Sequence, residues 1–264
     1  MSISVATSFN APMKTTWSTL HPRRIIEAVT NSLQLRQIER GTENVTSVHY
    51  NSDRHSELTR LCGLYGSDKG SLVTEGHPYR SKAHNYTDHY SRLFAHYRPY
   101  VKKVFECGLG TNNPLIPSTM GIRGKPGASL RVWRDYFPNA QVFGADIDRD
   151  ILFSEERILT YFVDQTSPAM IAQMWDQVGT TDFDLIIDDG LHTVEAGTTF
   201  FTNSIDRLSR DGLYIVEDIA SSDLSRYMHF FDGKPFIVDF VTLHRPQLPV
   251  RDNNLMIVRK TSGR

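Results

Sequence analysis

The chain has 264 residues, of which 29 are basic and 30 acidic, giving a formal net charge of −1. This length suits one α/β catalytic domain with extensions, and the balanced charge creates no overall field that would attract nucleic acid or an anionic membrane. The sequence has no apolar run of about 18 residues and no signal-peptide pattern, and its two cysteines stand far apart. We therefore expect a cytoplasmic protein without a disulfide framework, acting on a small molecule.

The first 60 residues are interpreted as an N-terminal arm and helical extension, and residues 61–264 as the catalytic domain. Residues 1–20 are rich in Ser, Thr and Ala without a period, whereas apolar residues recur at helical spacing between residues 21 and 40. This pattern predicts an amphipathic helix whose apolar face packs on its own domain, covers the active site or meets a second subunit. A polar stretch, 41–53, separates it from a second helical segment at 56–65.

The core begins with an apolar strand at 103–107 that runs into the turn Gly108-Leu109-Gly110. Glycines at this point let a bound nucleoside approach the backbone closely. A second strand, 140–146, ends in Asp146, which is placed to hold ribose hydroxyls. Dinucleotide-dependent enzymes and methyltransferases that use S-adenosylmethionine share this pairing, so the strands alone do not choose between the two cofactors.

Two details favour S-adenosylmethionine. The third glycine of a dinucleotide fingerprint is replaced by Asn113, and Pro114 follows it, so no helix can begin there to face a pyrophosphate. Glu106, immediately before the glycine turn, would repel a pyrophosphate and suits a cofactor that carries an amino group and a sulfonium.

The remaining apolar segments complete a Rossmann-like, doubly wound sheet of seven strands, the α/β fold class that we predict. A strand at 159–163 ends in Asp164-Gln165, a polar pair suited to reading an adenine edge. Strands at 183–188, 213–216, 236–243 and 254–259 follow, with helices between them.

Two of these strands end in pairs of acids, Asp188-Asp189 and Glu217-Asp218. If the strands are parallel neighbours, their ends lie about 4.8 Å apart. Four carboxylates in so small a volume need a counter-charge, and the simplest is a divalent cation bound by oxygen ligands, with His192 at its edge. The alternative is structural, because an acid after a strand is often only a helix cap and Asp-Gly an ordinary turn.

The motifs at 66–70, 106–110, 129–138, 164–165, 188–192 and 217–218 occur in the order found in the metal-dependent sugar O-methyltransferases of macrolide tailoring, which the chain resembles from residue 61 to 259. The resemblance implies the class I methyltransferase fold, S-adenosylmethionine, Mg²⁺ or Mn²⁺, a sugar or glycoside acceptor and a homo-oligomer. It also implies metal ligands at Asp189, Glu217 and Asp218.

The resemblance assigns Asp189 and His192 to catalysis, with His192 as general base, a role that its ordinary pKa of about 6.5 also permits. The cofactor is assigned to Glu106, Gly108, Gly110, Ser129, Asp146, Asp164, Gln165 and Asp188. Two other functions remain open: a catechol-type O-methyltransferase, since catechols also present two vicinal oxygens, and a binding protein that keeps the fold without catalysis.

Overall fold

The computed structural model describes residues 45–49, 55–71, 83–245 and 250–261, which form a nine-stranded sheet with helices on both faces. The strands are β1 (Val45–His49), β2 (Lys103–Cys107), β3 (Gln141–Asp146), β4 (Ser154–Glu155), β5 (Ile158–Phe162), β6 (Phe183–Asp188), β7 (Leu208–Val216), β8 (Phe236–His244) and β9 (Asn254–Lys260). The helices are α1 (Glu57–Tyr65), α2 (Tyr86–Leu93), α3 (Ala128–Tyr136), α4 (Pro168–Val178), α5 (Val194–Ser204) and α6 (Leu224–Phe231).

The strand order is β1-β8-β9-β7-β6-β2-β3-β5-β4. From β2 the chain builds outward through β3 to β5, and then returns to the other side of β2 as β6 and β7, all parallel to one another. The order therefore reverses between β2 and β6, and ligands of such sheets bind beyond the carboxyl ends of the strands at this point. Strand β9 runs antiparallel to both β7 and β8, so its first residue lies at that same edge.

All seven predicted strands are present in a doubly wound sheet, which confirms the predicted fold class. The sheet has two further strands. Strand β1 lies in the stretch that was predicted to be a polar connection, and it pairs with β8 at one edge. The two-residue strand β4 pairs with β5 at the other edge. Both are short and form only at an edge, where one neighbour suffices, so they leave little periodic signal in the sequence.

The predicted helix at 21–40 lies outside the described residues. The division of the chain at residue 61 stays a prediction, although β1 and the first turn of α1 precede that residue and belong to the sheet and its core. Val48 and Leu58 are both buried in the same apolar cluster as residues of β2.

Local capping residues define where several helices begin. Ser56 accepts a hydrogen bond from the Thr59 backbone N–H at 3.1 Å, and α1 ends at Gly66 in the left-handed conformation. At α4, Ser167 caps a helix whose first residue is Pro168. Thr193 caps α5 in the same way, so the residue before it, His192, stands just outside the start of a helix.

The core consists of two apolar clusters, one on each face of the sheet. Helices α4, α5 and α6 cover one face, where Phe105 of β2 packs 4.5 Å from Trp175 between ring centroids. Helices α1, α2 and α3 cover the other face around Trp133. Within the described ranges, none of the helices combines the length and apolar character needed to cross a membrane.

Truncating the core at Phe105 tests this layering. The ring is fully buried among Trp175, Phe183 and Phe200, so Phe105→Ala should lower the free energy of unfolding by about 3–5 kcal/mol in urea titrations. Leu64→Ala is the control, because the Leu64 side chain is 68% exposed and its loss should cost less than about 0.5 kcal/mol. Equal effects of the two substitutions would contradict the assignment of the core.

Candidate active site

A cavity of about 950 Å³ opens at the carboxyl ends of β2, β3, β5, β6 and β7. Of the residues predicted from the sequence, it is lined by Gly108, Gly110, Asp146, Asp164, Gln165, Asp189, His192 and Asp218. The other four, Glu106, Ser129, Asp188 and Glu217, lie outside its wall. The two predicted halves of the site, for the cofactor and for the metal, therefore face one space.

Asp146 fixes the turns that follow β2 and β3. Its Oδ2 accepts a hydrogen bond from the Leu109 backbone N–H at 2.7 Å, and its Oδ1 accepts one from the Asp148 N–H at 2.8 Å. Burial raises the pKa of this carboxyl despite those bonds. Asp146 thus holds the glycine turn of β2 against the end of β3.

Close contacts within the protein explain why residues 108 and 110 are glycines, in addition to the predicted approach of a nucleoside. Gly108 has φ +95°, and a Cβ there would lie 2.0 Å from the Asp189 carbonyl oxygen. Gly110 has φ +78°, and its Cβ would meet the Met120 sulfur at 2.0 Å. In the described structure these glycines admit the backbone after β6 and a side chain of the following loop, and both also border the cavity.

Gln165 lines the cavity and also binds the protein through both ends of its amide, and its role at an adenine edge stays a prediction. Its Nε2 donates to Asp188 Oδ1 at 2.6 Å, and its Oε1 accepts from the Leu191 backbone N–H at 2.8 Å. Asp164 likewise caps its own turn, accepting from the Thr166 N–H at 2.9 Å. Gln165 therefore anchors the loop that carries His192.

Asp188, which accepts the hydrogen bond from Gln165, is buried and does not line the cavity. Its side chain lies on the face of the sheet covered by α4, α5 and α6, because alternate residues of a strand point to opposite faces. Oδ2 has no hydrogen-bond partner among the residues that the structure describes. Burial raises the pKa of Asp188 to about 6.

Glu106 also differs from its predicted place. It is fully buried, and one of its oxygens accepts a hydrogen bond from the Trp133 indole N–H, while Ser129 donates to the same carboxylate. Both residues therefore lie behind the cavity wall. Their predicted contact with a cofactor stays a prediction that these positions do not support directly.

The acids at the ends of β6 and β7 do come together. Asp188 pairs with Val216 across the two strands, and the Glu217 N–H donates to the Asp188 carbonyl at 2.9 Å, which brings Asp189 and Glu217 to the same level. The counter-charge between them is Lys69, which the sequence analysis did not assign. Its Nζ donates to Asp189 Oδ2 at 2.5 Å and to Glu217 Oε2, and lies 3.3 Å from Glu106 Oε1.

The charge balance around Lys69 shifts the ionisation of its partners. Burial opposes the charge on Lys69, but the carboxylates of Asp189, Glu106 and Glu217 raise its pKa above the usual range. Burial raises the pKa of Glu106 and of Glu217. Burial has the same tendency at Asp189, yet Lys69 and His192 hold the pKa of that carboxyl well below its usual range.

Asp189, His192 and Asp218 form the group that faces the cavity. Ligand atoms from the three side chains lie within 4.8 Å of one another, a spacing that a metal ion could bridge. His192 Nε2 lies 3.2 Å from Asp189 Oδ1, and His192 Nδ1 lies 3.8 Å from Asp218 Oδ2. His192 and Asp218 both have left-handed backbones, with φ of 59° and 53°, which cost about 1–2 kcal/mol each and concentrate at functional sites.

Two tyrosines of α2 hold Glu217 and Asp218, the acids that follow β7, in place. Tyr86 OH donates to Asp218 Oδ1 at 2.5 Å and accepts from the Asp218 backbone N–H at 3.1 Å. Tyr90 OH donates to Glu217 Oε1 at 2.6 Å. Both tyrosines are buried.

The proton on His192 is held by its acidic neighbours. Burial would lower the pKa of the imidazole, but the carboxylates of Asp218 and Asp189 raise it to about 10. With these contacts alone, His192 is protonated at neutral pH. A general base at this position therefore requires that the two carboxylates be engaged by another positive charge.

Asp68 and His84 complete the wall beside Asp218, and neither was singled out from the sequence. His84 Nδ1 lies 3.1 Å from Asn253 Oδ1, and its Nε2 lies 3.5 Å from Asp218 Oδ1. Burial raises the pKa of Asp68 to about 6. The sequence did carry a signal for this segment, because Asp68-Lys69-Gly70 places charged residues in a glycine-bounded turn.

Comparison with known proteins identifies relatives among sugar O-methyltransferases, although no family model matches the chain. The 8-demethyl-8-alpha-L-rhamnosyl tetracenomycin-C 2'-O-methyltransferase of Streptomyces olivaceus is 32% identical over 179 residues, which are 67% of this chain and 42% of that protein. The mycinamicin VI 2''-O-methyltransferase of Micromonospora griseorubida is 33% identical over 183 residues, 69% of this chain and 40% of that protein. The chain thus spans less than half the length of these relatives.

Solved structures agree with the topology. The MycE methyltransferase of the mycinamycin biosynthetic pathway, in complex with Mg and SAH, matches with a TM-score of 0.53 at 24% identity, covering 78% of this chain and 55% of that one. The fold is that of the class I methyltransferases. A second MycE structure, which also contains mycinamycin VI, matches with a TM-score of 0.52 at 21% identity, covering 92% of this chain and 64% of that one. The resemblance to macrolide sugar O-methyltransferases is confirmed.

The anchoring role of Gln165 is testable by hydrogen exchange. Gln165→Ala removes the acceptor of the Leu191 N–H, so this amide should exchange at least about fivefold faster, since its opening no longer breaks a hydrogen bond worth about 1 kcal/mol or more. Thr166→Ala is the matched control, because the Thr166 hydroxyl donates to Asp164 and makes no other hydrogen bond to the described residues. Unchanged exchange at Leu191 in Gln165→Ala would contradict the role.

Proposed function

We propose that the chain is an S-adenosylmethionine-dependent, divalent-cation-dependent O-methyltransferase that acts on a hydroxyl of a sugar or a glycosylated natural product. The observation that carries the proposal is the shared cavity, whose wall contains both the β2 turn held by Asp146 and the group of Asp189, His192 and Asp218. The relatives named as methyltransferases of rhamnosyl and mycinamicin compounds support the acceptor class.

The cavity suits S-adenosylmethionine in size and chemistry. Its wall contains the Gly108 and Gly110 turn, Asp146 at the end of β3 and the apolar side chain of Met120. The proposal gives Asp146 the ribose hydroxyls, because its oxygens accept two backbone bonds and retain further lone pairs toward the cavity. MycE, which has the same fold, was solved with SAH.

The acidic group suits Mg²⁺ or Mn²⁺. Carboxylate oxygens are the ligands that both ions prefer, and an imidazole among them is tolerated better by Mn²⁺. We propose that Asp189 and Asp218 hold the ion. Glu217, the third predicted ligand, remains part of the proposal, although Lys69 and Tyr90 occupy its oxygens in the described contacts.

S-adenosylmethionine, when bound, supplies a methyl group activated by its sulfonium, and a divalent cation, when bound, supplies a Lewis acid that lowers the pKa of the acceptor hydroxyl. The residues of the chain align the acceptor and take its proton. Once Asp189 and Asp218 serve as ligands, their charge no longer holds the proton on His192, so the imidazole returns toward its ordinary pKa and can accept the hydroxyl proton.

The acceptor, the assembly and the location predicted from the sequence belong to the same proposal. The mycinamycin VI complex of MycE supports a glycosylated small molecule as the acceptor. A homo-oligomer and a cytoplasmic location rest on the resemblance and on the sequence composition.

Methyl transfer from S-adenosylmethionine to a glycoside diol, followed with and without EDTA, tests the function. We expect turnover that excess EDTA abolishes and Mg²⁺ or Mn²⁺ restores, because the donor set is mostly oxygen. Asp189→Ala should remove turnover while calorimetry still detects S-adenosylmethionine binding. Transfer to a catechol in preference to the diol would favour the catechol-type alternative, and full activity in EDTA would exclude the cation from the reaction.

His192→Ala separates the base from the metal ligands. Loss of a general base should lower kcat by roughly 10²–10⁴ with little change in cofactor affinity. The wild-type rate should rise with pH through a pKa that the variant lacks, because only the neutral imidazole accepts a proton. A loss below about fivefold, with an unchanged pH profile, would leave His192 only its structural place before the Thr193 cap.

A further inference from the structure

Lys69 contacts all three acids of the cluster formed by Glu106, Asp189 and Glu217, and its ammonium is almost completely buried. The side chain is 3% exposed, as against none for Glu106 and Glu217 and 22% for Asp189. It therefore lies on the protein side of the cluster, whereas His192 and Asp218 border the cavity.

The two oxygens of Asp189 contact different partners, Lys69 and His192. Oδ2 accepts from Lys69 Nζ at 2.5 Å, while Oδ1 lies 3.2 Å from His192 Nε2. The two oxygens of Glu217 also contact different partners, Oε2 accepting from Lys69 and Oε1 from Tyr90. Asp189 thus has one oxygen, Oδ1, on the His192 side, whereas both oxygens of Glu217 are engaged by buried side chains.

Lys69 offsets part of the negative charge of this cluster. Asp189, Glu106 and Glu217 contribute three carboxylates within reach of one ammonium. Removing one partner from a buried ion pair leaves an uncompensated charge in a low dielectric, which is strongly destabilising. Lys69 therefore lowers the electrostatic cost of bringing these acids together.

We propose that Lys69 is a tethered counter-ion that stands in for part of the divalent cation's charge, holding Asp189 and Glu217 in position when the cation is absent and weakening the affinity for the cation when it binds. The proposal rests on the proposed function for the identity of the cation. Lys69 is a positioning residue in this reaction, since it reaches the cavity only through Asp189.

Removal of the Lys69 charge should change the affinity for the cation in the direction opposite to removal of a ligand. Loss of a metal ligand weakens metal binding, whereas loss of a neighbouring positive charge strengthens it, because like charges a few ångströms apart repel strongly at the effective dielectric of a protein interior. Lys69→Met keeps most of the side-chain volume and removes the charge. This variant should depend on the cation for its stability more than the wild type does.

The experiment measures the melting temperature of cofactor-free protein in EDTA and in Mn²⁺, together with the Mn²⁺ affinity by calorimetry. In EDTA, Lys69→Met should melt roughly 10 °C below the wild type. Mn²⁺ should raise its melting temperature by at least about 5 °C more than it raises that of the wild type, with at least about tenfold tighter binding.

Two further variants separate charge from hydrogen bonding. Tyr90→Phe removes the other donor to Glu217 without changing the charge, so its response to Mn²⁺ should match that of the wild type. Lys69→Met combined with Glu106→Gln restores the net charge of the cluster, and should recover part of the melting temperature in EDTA and part of the wild-type affinity.

A Lys69→Met protein that folds and binds Mn²⁺ no more tightly than the wild type would overturn the proposal, as would a variant that fails to fold even in Mn²⁺. A variant that folds in Mn²⁺ and unfolds on chelation supports it. These measurements contain neither S-adenosylmethionine nor an acceptor, so their outcome is independent of whether methyl transfer is observed.

Discussion

The ion cluster centred on Lys69 is the interaction on which the cavity rim depends. Strands β6 and β7 end at the same edge of the sheet, because Asp188 pairs with Val216, and this places Asp189 and Glu217 side by side. Repulsion would then drive those acids apart unless a positive charge lay between them. The ammonium, reaching in from the turn after α1, and the phenols of Tyr86 and Tyr90 from α2 turn a repulsive set into a fixed arrangement.

Much of the fold was predictable because its central strands are buried on both faces. These strands contain short apolar runs at 142–145, 185–187 and 213–216, and helices begin where Ser, Thr and Pro provide caps, as at Ser167 and Thr193. The edge strands β1 and β4 were not predictable in this way. They are stabilised by a single neighbouring strand each, and such pairing is a long-range property that local periodicity does not record.

The site was predictable in position but less so in the roles of individual residues. Acids at strand ends indicated where Asp189 and Asp218 would meet, since parallel strands end at one edge. The counter-charge was attributed wholly to a metal, and Lys69 was overlooked because it is 120 residues from Asp189. Glu106 was assigned by its nearness to the glycine turn, whereas it lies buried against Trp133. Gln165 does line the cavity, but hydrogen bonds to Asp188 and the Leu191 N–H also tie it to the protein.

The direction of β9 determines which residues beside it line the cavity. Because β9 is antiparallel to its neighbours, the chain enters it from the cavity side, and Val250, Arg251 and Asp252 just before it join the wall. The acids on β6 and β7, by contrast, leave their strands at that edge. Substitutions just before β9 can therefore change the shape of the cavity while Asp189 and Asp218 keep the positions that β6 and β7 give them.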